Sequence, residues 1–130
     1  MAGRTFQPIL GTLDPQVVFL PISWAPNGVN AVVQSTIRGR GVESVTRTGV
    51  GTFDVKLQDQ YARVLSMHAT LQLAVADDKL AANVGPETIN ATTRTVTVRV
   101  YDASAAAPAD VAPDAQNRVN LLLVLGNSSV

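Results

Sequence analysis

The sequence holds no cysteine, a single histidine and little charge, and each shortage removes a class of activity. Without cysteine there is no disulfide, no thiolate metal site and no cysteine nucleophile. The lone imidazole, His68, has no second histidine or cysteine with which to hold zinc. Ten basic and ten acidic residues cancel, so no overall field recruits nucleic acid or an anionic membrane. Charged residues make up 15% of the chain, against about 25% in ordinary soluble domains. So little charge points to a surface partly covered by another subunit. Aromatics are 5%, too few for the stacking platforms of single-strand binders. No apolar run approaches the roughly 20 residues that span a bilayer. The start, MAGRTFQPILGTLDP, lacks the basic lead and apolar core of a signal peptide. A soluble protein made in the cytosol is expected, with no cofactor, no membrane partner and no nucleic-acid partner.

What the chain does have is alternation. In Thr52–Gln58, Phe53, Val55 and Leu57 take one face and Thr52, Asp54, Lys56 and Gln58 the other. That two-residue period marks a strand with one buried face. From Val64 onward, Leu65, Met67, Ala69, Leu71, Leu73 and Val75 are expected inward, opposite Ser66, His68, Thr70 and Gln72. Thr93–Tyr101 alternates cleanly with Val96, Val98 and Val100 inward, and Gln16–Trp24 is rich in β-branched and aromatic residues. Within the latter, Pro21 removes a ladder donor, which suits an edge strand or a bulge. Val29–Ile37 reads as a further strand, Val42–Thr48 as another, and Gly49-Val50-Gly51 as a tight hairpin turn. The polar run at Asp77-Asp78-Lys79 opens a predicted loop to Thr92, with Leu80, Val84 and Ile89 plugging one end of the fold. Ala103–Gln116, rich in alanine and proline, reads as a second loop.

The closing strand, Arg118–Leu125, differs from the rest. Val119, Leu121, Leu123 and Leu125 occupy one face, yet Leu122 and Val124 make the other face apolar too. A strand with one solvated face does not read this way unless something covers that face. A second sheet layer of the same chain would cover it as well as a subunit interface does; the scarcity of charge favours the interface, which makes Leu122 and Val124 candidate oligomer-interface residues. Seven or eight strands at spacings near ten residues predict an all-β antiparallel sandwich or jelly-roll-like barrel. Residues 16–130 form its single domain. Residues 1–15 read either as a frayed terminus or as an extended arm, and in the arm Arg4, Phe6, Ile9, Leu10 and Leu13 are the candidate partner-binding residues.

The candidates for chemistry are weak. His68 shares a strand face with Ser66, but no Gly-x-Ser-x-Gly elbow accompanies them. Asp77-Asp78, and more loosely Asp110 and Asp114, lack the spacing of a calcium loop. Gly49-Val50-Gly51 lacks the Lys-Ser/Thr of a phosphate loop. Arg38, Arg40, Arg47 and Arg63 read as salt-bridge partners for an acidic protein. No catalytic and no metal-binding residue is assigned, and the expectation is a protein that is not an enzyme.

The segments VTRTGVGTFDVKLQDQYARVLSMHATLQLA, TVTVRVYD and NRVNLLLVLGNSSV together resemble small virion structural proteins of tailed bacteriophages. The likeness runs from Val42 to Val130. Its marks are the Arg-Thr-Gly-x-Gly-Thr-Phe hairpin entry, the Leu-Gln-Asp-x-Tyr connection and the Asn-Ser-Ser terminus. Gly-x-Gly-Thr-Phe-Asp-Val also looks like the trimeric jelly rolls of complement-type and fibre-head domains. The resemblance implies a capsid decoration or cement protein. It would sit on the virion exterior as a homotrimer bound to the major capsid protein. A tail, fibre or head–tail component and a carbohydrate-binding β-sandwich are the other readings.

Overall fold

In Thr52–Leu57 the inward residues Phe53, Val55 and Leu57 are buried and the residues between them are not, as the two-residue period requires. The same rule builds the rest of the chain. The computed structural model describes residues 17–61, 63–77, 79–89 and 94–126, with 87–89 described by their backbone alone. The described residues form eight strands: β1 (Val17–Trp24), β2 (Val42–Gly49), β3 (Thr52–Leu57), β4 (Arg63–Gln72), β5 (Leu80–Ile89), β6 (Arg94–Asp102), β7 (Ala107–Pro108) and β8 (Arg118–Gly126). One sheet has three strands in the order β1-β8-β4; the other runs β2-β3-β6-β5, with β7 also on β6. Every pairing is antiparallel. The described residues contain no α-helix, only one 3-10 turn at Gln34–Thr36. Of the two predicted architectures the sandwich is present; the sheets do not close into a barrel.

The core lies between the sheets. The three-stranded sheet contributes Leu20, Ile22, Trp24, Val119, Leu121, Leu123 and Leu125; the larger sheet contributes Val45, Phe53, Val55, Leu57, Val96, Val98 and Val100. Trp24 meets Phe53 edge-on across the layers, with ring centroids 5.5 Å apart at 61°. Valine and leucine dominate because β-branched and compact groups suit a pleated, fully covered surface. The Gly49-Val50-Gly51 turn joins β2 to β3 as predicted, with Gly51 at φ +60°. Pro21 sits on β1, an edge strand, also as expected.

Several expectations are corrected. Val29–Ile37 is not a strand; only Val32 is buried there, and Gln34 does the work of a neighbour. Its side-chain amide donates to the Val45 carbonyl (2.8 Å) and accepts from the Val45 N–H (3.1 Å). One side chain thus satisfies a strand residue's donor and acceptor together. Leu80–Ile89 is a strand and not a loop, because it pairs with β6 along its length. Its signal is broken by a register shift between Val84 and Glu87, where Gly85 packs against Thr97. In β4, a bulge between Val64 and Ser66 reverses the local faces. Val64 packs against the core, while Leu65 is turned outward and is 46% exposed. Val75, also expected inward, lies beyond the strand and is exposed.

A latch joins the β2–β3 hairpin to the segment after β7. Arg47 donates to both oxygens of Asp110 (Nε 3.0 Å, Nη2 2.7 Å), and the Gly51 N–H donates to Asp110 Oδ1 (2.8 Å). This overturns the assignment of Arg47 to an acidic partner, since its acid is internal. The hydrogen bonds from Arg47, supported by the one from Gly51, hold the Asp110 carboxyl below its usual range despite burial. A depressed folded value means the stabilisation is present above the unfolded value, about pH 4. It is lost as pH falls through the folded one. Asp110→Asn is therefore expected to melt lower than the parent at neutral pH. The gap should narrow once the pH drops below about 4, as thermal melts across pH will show; a constant gap would contradict the assignment.

Candidate interaction face

The two outer faces of the sandwich have opposite chemistry. On the larger sheet the outward positions include Thr46, Asp54, Lys56, Thr97 and Arg99. Thr97 Oγ1 donates to Asp54 Oδ1 (2.9 Å), and Lys56 pairs with Glu43 at 3.0 Å. That is an ordinary solvated face. The three strands of the smaller sheet contain no aspartate, glutamate or lysine.

Register assembles this second face row by row. Phe19, Val124 and Ser66 stand abreast, then Pro21, Leu122 and His68, then Ser23, Asn120 and Thr70. Phe19 is 54% exposed and Leu122 40%, and Leu65 from the bulge joins them. Val124 is half-buried. The sequence-predicted pair Leu122 and Val124 therefore lies together in the middle of a sheet face that no other described element covers. Phe19 and Leu65 were not predicted there. Phe19 follows from the alternation of Val17, Phe19 and Pro21; Leu65 depends on a bulge that alternation conceals. The remaining predicted partner-binding residues, Arg4, Phe6, Ile9, Leu10 and Leu13, lie outside the described residues.

At its Ser23 end the face sinks into a shallow groove of about 620 Å³, lined by Pro21, Ser23, Arg38, His68, Asn120 and Leu122 among others. Ser66 Oγ and His68 Nε2 are 2.8 Å apart and share a hydrogen bond. A nucleophile–base pair needs a third group to orient the imidazole, and the neighbouring strand places Leu122 beside His68. Ser23 of the groove is held by Arg118, 6% exposed, whose guanidinium donates to Ser23 Oγ (3.2 and 3.0 Å) and the Thr36 carbonyl (2.7 Å). Burial lowers its proton affinity and the nearby charge of Arg38 lowers it further. Arg118 therefore ties β8, β1 and the 3-10 turn together without any carboxylate.

Of the acidic candidates, Asp110 is taken by Arg47, Asp78 lies outside the described residues, and the other two make local bonds. Asp77 Oδ1 accepts from the Lys79 N–H (2.9 Å) and Asp114 Oδ1 from the Gln116 N–H (2.8 Å). Among the described residues no three His, Cys, Asp or Glu side chains converge to hold a metal. In comparison with known proteins, the chain matches no family model, and no curated protein or solved structure is significantly similar to it.

Proposed function

We propose that this protein is a non-enzymatic structural subunit of a phage virion. In this reading it is a decoration or cement protein that coats the outer capsid surface as a homotrimer. The observation that carries the reading is the outer face of the three-stranded sheet. It presents Phe19, Leu65, Leu122 and Val124 without one acid or lysine, while the opposite outer face is charged. Exposed apolar patches of this kind mark protein contacts. Coating a shell needs no chemistry: many copies, each adding a modest contact, cross-link it by multivalency. The carbohydrate-binding alternative is less well supported, because two of the few large aromatics, Trp24 and Tyr61, are buried in the core and offer no platform.

Light scattering coupled to size exclusion tests the association. The expected mass is three copies of 13.7 kDa, and Leu122→Glu, which places a charge at the centre of the face, should reduce it to one. A monomeric parent protein rejects self-association through this face. Co-sedimentation with shells of the major capsid protein tests the coating role: protein that stays in the supernatant removes it.

A further inference from the structure

We propose that the outer face of the three-stranded sheet receives the N-terminal arm, residues Arg4–Leu13, of a second copy, so that copies exchange arms. This rests on the self-association proposed above and names what covers the face. The edge of β1 offers little to a partner. Arg38 already bridges Ser23 in both directions (Ser23 N–H to Arg38 O 2.9 Å; Arg38 N–H to Ser23 O 2.7 Å), and Pro21 has no N–H to give. An edge blunted in this way discourages strand addition. The broad apolar face remains.

Chain length and place of entry point to the arm as occupant. Sixteen residues precede Val17, the first residue of β1, and β1 belongs to this same sheet. They enter at the end of the sheet where the row of Phe19 and Val124 lies. Ten extended residues reach about 33–36 Å, whereas three strands side by side measure only about 10 Å between outer axes. The arm is long enough to cross a neighbour's face completely.

The chemistry matches as well. Phe6, Ile9, Leu10 and Leu13 supply four large apolar groups in eight residues, and the only charge between Arg4 and Leu13 is Arg4 itself. The receiving face is equally free of acids and lysines. Only Asp14, Pro15 and Gln16 separate Leu13 from Val17; an arm laid on a second copy both covers the apolar face and accounts for the self-association proposed above.

The natural absence of cysteine makes the test clean, because introduced thiols are the only ones present. Full-length chains carrying Leu122→Cys together with Phe6→Cys, Leu10→Cys or Leu13→Cys are oxidised and run without reductant, beside each single variant. At least one pair should yield covalent multimers, several-fold above the single variants, up to the copy number found by light scattering. A disulfide formed only within one chain, or none from any of the three pairs, overturns arm exchange. Deleting residues 2–13 gives a second readout: the melt should stay cooperative while the mass falls to that of one copy, and an unchanged mass overturns the proposal. The two readings fail separately. A multimeric parent without arm disulfides loses only the arm; a monomeric parent loses the association itself.

Discussion

Gly51→Val is expected to abolish folding. A Cβ at position 51 would stand 2.3 Å from the Val100 carbonyl oxygen and 2.5 Å from that of Ala109, both backbone atoms on different segments. No rotamer relieves such a contact, because neither neighbour is a side chain. The position is also left-handed, at φ +60°, which for a β-branched residue adds about 1–2 kcal/mol by itself. The same residue is a junction of hydrogen bonds: its carbonyl accepts from the Val100 N–H (2.7 Å), and its N–H donates to Asp110 (2.8 Å). Moving Gly51 aside breaks both and loosens the Arg47–Asp110 latch. The loss should exceed about 4 kcal/mol, at the far end of the range for single substitutions. Insoluble expression, or a chain lacking a cooperative urea transition, is the expected readout. Gly49→Val is the control at the other end of the turn, where a Cβ meets nothing within 4 Å. It should fold, and a Gly51→Val protein as stable as Gly49→Val would refute the packing argument.

The same hairpin shows what the sequence made legible. Faces were readable wherever a strand lies regularly in a sheet, since the pleat allows only two directions. β3, β6 and β8 were read correctly for that reason, and the doubly apolar β8 turned out to be the central strand of its sheet. Legibility failed where one residue departs from the pleat. The bulge at Leu65 exchanges the faces of Val64 and Leu65, and nothing in Arg-Val-Leu-Ser marks where the extra residue falls. β5 was hidden because its inward residues, Ala82 and Val84, are small and the Gly85-Pro86 irregularity interrupts the period. Val29–Ile37 failed in the opposite sense. Its β-branched residues suit a strand, but the Gln34 amide had already taken the hydrogen bonds of Val45 that a strand would have made.

The candidate face was partly legible for the same physical reason. Leu122 and Val124 violate one-sided burial, a signal carried by the strand itself. Phe19 and Leu65 become part of the face only through pairing, and alternation fixes faces without fixing neighbours. Arg47 was misread because a charge in the sequence gives no hint of where its partner lies. Its acid is 63 residues away in sequence.

Trp24 is where the core carries most in one side chain, and two substitutions there should separate packing from hydrogen bonding. The indole is fully buried against Phe53, and its Nε1 has no hydrogen-bond partner among the described residues. Trp24→Ala removes the whole ring and is expected to cost about 3–5 kcal/mol, a large share of the roughly 5–15 kcal/mol typical of a domain. Trp24→Phe also loses volume. It removes, however, a buried donor whose unmet desolvation costs about 1–3 kcal/mol, and it keeps an aromatic edge toward Phe53. The two terms oppose each other, so Trp24→Phe should lose less than half as much as Trp24→Ala. Urea denaturation followed by circular dichroism is the suitable measurement, because both variants lack the only tryptophan and with it the fluorescence signal. Equal losses in the two variants would mean that the indole N–H is no burden, and that shape alone selects tryptophan at this position.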